Sequence, residues 1–459
     1  MTLDRGGLPG AERLASTFDG DPAHVFLREN GDTWTVGRLL AYAADIARAI
    51  PADAGPLVAV RSHSAAFVVA SLLASWSSRR SPLLVDPALI AEPAGLRTPG
   101  ELVPVLAPAH VADPWSDVTV VESGGVPLAA VFPRAGDPEV AFFTSGSTGE
   151  PKSVRKKAYQ FGEQHRVETP WLGLTGPLTA LCFVPAFHIL GYIYGFDMPA
   201  TGGGATVFYR GGAPQHWVDQ IRARAPQLVI AVPLHYRLMT QVLASPLPPA
   251  TYVCSGAPLD PVIGEQFERL AGSPVLQVYG STETGGIATR VGSGPWRPFP
   301  ELTWQRRNSD GRLLVKSAWQ DRPEDWYVTG DAIAVEGETF RLLGRADSVV
   351  KVGGRRFSSG EVVQAALAEP AIEQAHAVVY TRFGELAVAL FVVTRGDASL
   401  TAADVRRLLA GRLAPFKIPR TIQVLTALPT RGNGKVNEEA LRVMVSPDAA
   451  GGGDGPVTS

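Results

Sequence analysis

Cysteine is almost absent from this chain: Cys182 and Cys254 are the only two in 459 residues. Two thiols cannot build a disulfide framework, and they have no partner spacing for a zinc site, so a stapled secreted scaffold and a structural-zinc module are both excluded. An excess of charge of one sign is lacking too. The 42 basic and 44 acidic residues leave a formal net charge of −2, which supplies no overall field for nucleic acid or an anionic membrane. Long apolar runs are missing as well. The most apolar early stretch, Ala65 to Trp76, falls short of the ~20 residues a spanning helix needs. Met1 to Gly10 has neither the basic start nor the apolar core of a signal peptide. A cytoplasmic location with no membrane span is the expectation, and nothing in the sequence speaks to oligomeric state.

With 45% hydrophobic and 19% charged residues, the chain has the composition of a globular protein that buries a core. Its length exceeds what one core usually serves, since cores stop growing near ~250–300 residues, so two or more domains are expected. Prolines and glycines are plentiful but scattered. Thr35 is placed to cap a helix running to about Ile50, with Val36, Leu39, Leu40, Ala43 and Ile46 recurring along one face. Short apolar runs at Leu228 to Val232 and Val275 to Val278, bounded by Pro and Gly, read as buried strands. The alternation predicts an α/β fold. After Gly344 the pattern restarts as a smaller unit: a helix near Gly360 to Ala368, strands near Ala375 to Tyr380 and Leu386 to Val393, and a helix from Thr401 to Leu413. We therefore expect a large domain over 1–345, a small one over 346–447, and a disordered tail at 448–459, where Gly, Pro, Asp and Ser leave little to bury.

The chemistry-bearing stretch is Phe142-Phe143-Thr144-Ser145-Gly146-Ser147-Thr148-Gly149-Glu150-Pro151-Lys152. It reads as an apolar strand entering a loop of glycines, hydroxyls and one lysine. Small residues let backbone N–H groups approach an anion, Ser and Thr add donors, and Lys152 brings positive charge, which is what a phosphate requires. A flexible linker is the plainer reading, but a linker needs neither the two aromatics entering nor the Pro-Lys pair leaving. Nor is this the nucleotide-triphosphatase P-loop. Counting from Gly146, Pro151 stands where that motif requires its second glycine, and proline has no N–H to give a phosphate.

Thr144 to Lys152 resembles the signature of the adenylate-forming superfamily, which contains acyl-CoA synthetases, peptide-synthetase adenylation domains and beetle luciferases. Further blocks follow in that family's order: Tyr279-Gly280-Ser281-Thr282-Glu283-Thr284, Tyr327-Val328-Thr329-Gly330-Asp331, Gly344-Arg345-Ala346-Asp347 and Gly432-Asn433-Gly434-Lys435. The layout matches over about residues 25 to 445, but the motifs begin only at Phe142, and the N-terminal part is shorter than usual in the family. The resemblance implies a large adenylate-forming domain with mixed sheets and helices and a small mobile α+β C-terminal domain.

The resemblance also assigns roles. Thr282 would touch the α-phosphate and Glu283 would hold Mg²⁺, a hard cation suited to carboxylate oxygen. Asp331 and Arg345 would reach the ribose of ATP; on their own they would read as a surface ion pair. Asp347 would be the hinge, and Gly353 and Gly354 would line the thiol tunnel once the small domain rotates. Lys435, otherwise an exposed loop lysine, would bridge the acid's carboxylate and the ATP, offsetting the repulsion between two anions.

His188, in Pro185-Ala186-Phe187-His188-Ile189-Leu190-Gly191, is the counterpart of a side chain that gates the acid pocket; a buried structural histidine is the plainer reading. Ile189, Gly191, Tyr192, Ser255, Gly256, Ala257, Val278 and Gly280 would line the nucleotide and acid sites, an apolar slot for an aryl or medium-chain acid, or else would be core. Relatives that activate amino acids carry an Asp just after the aromatic, where this chain has His188, which argues against an α-amino acid. The implied activity is ATP-dependent formation of an acyl-adenylate with release of pyrophosphate, then thioester formation with CoA. Three alternatives stay open: loading the phosphopantetheine arm of an acyl carrier protein, luciferase-like oxidation, and a non-catalytic relative. The presence of Lys152, Glu283, Asp331, Arg345 and Lys435 disfavours the last.

Overall fold

The computed structural model describes residues 21–29, 31–87, 96–98, 101–103, 105–106, 138–145, 151–209, 211–345, 349–352, 355–382, 385–396, 398–430 and 436–445. The chain falls into two compact units. One is built from residues up to 294 with 298–303 and 316–325, the other from 295–297, 304–315 and 326 onward.

The first unit is organised on two largely parallel sheets. In the larger, the strands run in the order Gly285–Val291, Val275–Ser281, Thr251–Cys254, Leu228–Ala231, Thr179–Cys182, Ala205–Phe208, Val25–Glu29 and Asp32–Thr35. Pairing is parallel from Val275–Ser281 through Val25–Glu29 and antiparallel at both ends of that series. The second sheet has the order Val105–Leu106, Leu57–Arg61, Ser81–Val85, Glu139–Ser145, Pro151–Lys157, with only the last pairing antiparallel. Central strands such as Leu228–Ala231 are buried along their whole length, as strands covered on both faces must be.

Local signals explain the elements. Thr35 accepts from the Arg38 N–H and caps the Val36–Ala49 helix, which buries Val36, Leu39, Tyr42, Ala43 and Ile46. The apolar run at Ala65 forms a helix, Ala65–Ser77, with twelve buried residues. Its N-terminus is held by the buried Glu29 carboxylate, which accepts from the Ser64 hydroxyl at 2.7 Å and the Ala65 and Ala66 N–H groups at 2.7 and 3.2 Å. That places negative charge where the helix dipole favours it. No helix among the described residues is long and apolar enough to cross a membrane, and both cysteines are buried and free.

The second unit contains a sheet ordered Thr303–Arg306, Arg312–Lys316, Tyr327–Glu336, Thr339–Arg345, and a three-stranded sheet of Ile372–Arg382, Glu385–Thr394 and Thr421–Leu425. Successive residues of Glu385–Thr394 alternate between two cores, as the strand period of two requires. Val388, Leu390 and Val392 pack with Val362 of the Ser359–Leu367 helix and Val405 and Leu409 of the Ala402–Ala410 helix. Ala389, Phe391 and Val393 pack with Leu441 of the Glu438–Val443 helix. The chain is thus the expected mixed α/β protein. The helix expected to reach Leu413 is regular to Ala410; Gly411 takes the C-cap in the right-handed region, and the turn after it still brings the Leu413 N–H to the Leu409 carbonyl at 2.8 Å. The antiparallel sheet of 303–345 belongs to the second compact unit, although the sequence pattern groups it with the large domain.

Candidate active site

Parallel strands present their carboxyl ends to one edge of a sheet, the usual place for ligands in α/β folds. In the first unit, Val275–Ser281 leads into Thr282 and Glu283, Thr251–Cys254 into Ser255, Gly256 and Ala257, and Thr179–Cys182 into the segment bearing His188. In the second sheet, Glu139–Ser145 runs parallel to Ser81–Val85 and leads into the phosphate-loop segment, and Ser81–Val85 leads into Asp86. Side chains tie the two edges together. His188 Nε2 lies 3.8 Å from Asp86 Oδ2, and the Phe187 ring packs at 5.6 Å from His63 and 4.5 Å from His188. His188 keeps 28% of its side-chain surface exposed, so it faces open space rather than core.

Thr144, Ser145 and Lys152 lie on the strands that flank the loop, with Thr144 paired to Lys152 across the ladder. Gly146, Ser147, Thr148 and Gly149 lie outside the described residues, as do Asp347, Gly353, Gly354 and Lys435.

The Thr282–Glu283 turn is tightly built. The Thr284 hydroxyl accepts from the Ser281 N–H at 3.1 Å and lies 3.0 Å from the Ser281 hydroxyl, which accepts the Thr284 N–H at 3.2 Å. Gly280 is there because a Cβ would fall 2.2 Å from the Gly285 carbonyl oxygen. Beneath the turn lies Lys156, only 1% exposed, on the strand that leaves the phosphate loop. Its ammonium donates to the Glu283 carbonyl at 2.7 Å and the Trp319 carbonyl at 2.8 Å. Burial pulls its pKa down to about 7, against the opposing pull of the Asp321 and Glu283 carboxylates.

A second buried network sits on the Ala158–Trp171 helix. Glu168, fully buried, accepts from Tyr194 Oη at 2.7 Å and Gln164 Nε2 at 2.9 Å. Burial raises its pKa to about 7, with the two hydrogen bonds opposing. His165 Nε2 meets Asp197 Oδ2 at 2.6 Å one turn away. Tyr192 is packed in an aromatic cluster with Phe142, Phe161 and Phe196. Gly191 lies so close to backbone that a Cβ would fall 2.2 Å from the Pro185 oxygen. Val278 is buried, its carbonyl accepting from Ser255 Oγ at 2.8 Å, while Gly256, Ala257 and Gly280 are exposed and Ile189 and Tyr279 half-buried. Sequence reasoning missed Lys156, Glu168 and Asp86. The signal was thin: a lysine amid Arg155 and Lys157 reads as solvated, and only the tertiary fold buries it.

In the second unit, Asp331 and Arg345 are direct cross-strand partners. The Asp331 N–H is fixed by Thr329 Oγ1 at 3.2 Å, itself donating to the Leu313 carbonyl at 2.9 Å. The Arg345 guanidinium occupies the space a Cβ on Gly330 would take, 2.3 Å from its central carbon. A carboxylate and a guanidinium presented on adjacent strands suit a vicinal diol, and a nucleotide's ribose is one. No group of three metal-ligating side chains occurs among the described residues. A carboxylate oxygen suits a hard cation such as magnesium, and Glu283 carries one on the pinned turn.

Comparison with known proteins agrees with this geometry. The family model described as AMP-binding enzyme matches residues 101–318, and the AMP-binding enzyme C-terminal domain matches 361–435. The chain belongs to this family of adenylate-forming enzymes. It is 26% identical over 392 residues to an indoleacetate–CoA ligase of Aromatoleum aromaticum, covering 73% of this chain and 76% of that protein. It is 29% identical over 349 residues to a 3-hydroxybenzoate–CoA/4-hydroxybenzoate–CoA ligase of Thauera aromatica, covering 66% of this chain and 65% of that one. The solved structure of ATP-bound MatB from Rhodopseudomonas palustris has the same fold, with a TM-score of 0.76 at 21% identity over 95% of this chain and 99% of that one.

Proposed function

We propose that this chain is an AMP-forming acid–thiol ligase that activates an aryl or medium-chain carboxylic acid with ATP and delivers the acyl group to CoA. The observation that carries the reading is the meeting of two sheet edges, one bearing the phosphate-loop strands and Asp86, the other the pinned Thr282–Glu283 turn and the partly exposed His188. The ligase names of the two relatives support it.

The acid needs no general base in the first step, being ionised at neutral pH with a pKa near ~4. A carboxylate oxygen attacks the α-phosphorus, the bond to pyrophosphate breaks, and an acyl-adenylate results. Thr282 then contacts the α-phosphate, and Asp331 and Arg345 hold the ribose. His188 orients the carboxylate, with Asp86 behind it. Lys152 and Lys435 neutralise the approaching anions. Glu283 would hold magnesium, whose charge would neutralise the phosphates. In the second step the thiol sulfur attacks the acyl carbon, the bond to AMP breaks, and the thiol proton leaves to solvent. We place a pivot at Asp347 that exchanges Lys435 for the Gly353–Gly354 loop between steps. The functional boundary is kept at residues 345 and 346, which lies inside the second compact unit. The cytoplasm, where its two buried free thiols stay reduced, is its compartment.

The test is pyrophosphate release across a panel of aryl, fatty and amino acids, without acceptor and then with CoA. Acid-dependent release with CoA-stimulated turnover is expected. Release without CoA turnover redirects the acceptor to a carrier protein, and no release from any acid refutes the reading. Lys435→Ala is expected to abolish adenylate formation while sparing thioester formation from supplied acyl-adenylate; equal loss in both steps removes that role.

A further inference from the structure

We infer that Lys156 is a positioning residue for the metal-bound nucleotide: its buried ammonium locks the Glu283 turn to the strand that leaves the phosphate loop. The geometry is specific. Lys156 lies on Pro151–Lys157, four residues after Lys152. Its Nζ reaches the carbonyl of Glu283 at 2.7 Å and that of Trp319 at 2.8 Å. The first acceptor is the backbone of Glu283, the residue whose carboxylate would hold the metal. The second is fixed in its turn, because Trp319 is buried and its indole donates to the Gly286 carbonyl at 3.0 Å, on the far side of the same hairpin. Three segments that must hold one register around a triphosphate are therefore joined at a single nitrogen. A lysine is rarely buried without a structural demand of this kind, and an apolar residue of its length would take this donor away from both carbonyls.

This inference rests on the proposed role of Glu283, and its test separates the two. ATP binding to the full-length protein is measured by calorimetry as a function of free Mg²⁺, with thermal melting as the check on folding. Lys156→Met is expected to raise the Mg²⁺ concentration for half-maximal binding by about tenfold, with saturating Mg²⁺ restoring affinity to within about twofold of wild type. A general loss of structure would lower affinity at every Mg²⁺ concentration. If Lys156→Met does not fold, Lys156→Arg serves. Its guanidinium keeps the charge but carries its donors further along the slot, and a rise of about threefold is expected. A folded variant with the wild-type Mg²⁺ requirement, or a loss that Mg²⁺ does not rescue, overturns the role of Lys156 alone. A wild-type protein that binds no Mg·ATP overturns the functional reading and this inference with it.

Discussion

Gly330→Ala should weaken nucleotide binding while leaving the fold intact. Gly330 has an ordinary backbone φ, so alanine meets no backbone strain there, and restricting the unfolded chain even favours the native state slightly. The added Cβ would instead fall 2.3 Å from Arg345 Cζ and 2.4 Å from each terminal nitrogen. Carbon atoms in good contact stand ~3.5–4.0 Å apart, so the guanidinium has to retreat by about 1 Å or more. Arg345 is exposed, and the retreat costs little stability: the change should stay within about 1 kcal/mol. What is lost is the aim of the charge-assisted hydrogen bond we propose from Arg345 to the ribose, worth ~1.5–3 kcal/mol. A loss of about 2 kcal/mol is roughly 30-fold in affinity. Denaturant unfolding and ATP titration read the two quantities separately. Arg345→Ala should weaken ATP binding similarly, and the double variant should be no worse than Arg345→Ala, since both changes remove one interaction. Unchanged ATP affinity in Gly330→Ala, or losses that add in the double variant, would refute the assignment of Arg345 to the nucleotide.

Two further outcomes concern stability. Burial holds the Glu168 pKa at about 7, whereas an ordinary glutamate carboxyl titrates near 4.5. Between those values the folded protein binds the extra proton, so stability falls as pH rises through that window, by roughly 3 kcal/mol in all from this group. Glu168→Gln should flatten that slope in unfolding measured at pH 5 and pH 8, and a slope that survives assigns the pH dependence elsewhere. Gly191→Ala would place a Cβ 2.2 Å from the Pro185 oxygen and 2.7 Å from the Val184 oxygen. Both are backbone atoms with no freedom to swing aside, so a destabilisation of about 3 kcal/mol is expected; a wild-type urea midpoint would show that the segment yields.

Periodicity located the elements whose stability is local. The Val36–Ala49 helix follows from Thr35 and its apolar face, and the strands of the small sheet from runs of apolar and β-branched residues. Lengths were less legible where a backbone event decides them. The Ala402–Ala410 helix loosens into a turn before Leu413, and pairing with Gly285–Val291 extends the Val275 strand to Ser281. Strand order was not legible at all, because neighbours such as Thr179–Cys182 and Leu228–Ala231 are joined by contacts remote in sequence. Motifs marked the site because phosphate chemistry restricts residue types at fixed spacing. The groups that hold those motifs in place carry no such mark.

That difference has a physical origin. A residue that meets a ligand is constrained by the ligand's chemistry, which is the same in every fold that binds it. A residue that holds the ligand contact in place is constrained only by what the chain happens to bury beside it. Lys156 satisfies two carbonyls, Glu168 accepts from Tyr194 and Gln164, and Thr329 anchors the strand bearing Asp331; each is polar and buried, and Lys156 and Thr329 bond to the backbone of candidate contacts. Apolar packing alone is non-directional and would tolerate a sliding turn, whereas a buried hydrogen bond left unmade costs the full desolvation of its groups. Directional bonds of this kind can hold a carboxylate such as Glu283 in register with a phosphate loop. The supports should therefore tolerate substitution less well than their distance from the chemistry implies, and damage to them should appear in metal and nucleotide affinity before it appears in the acid pocket.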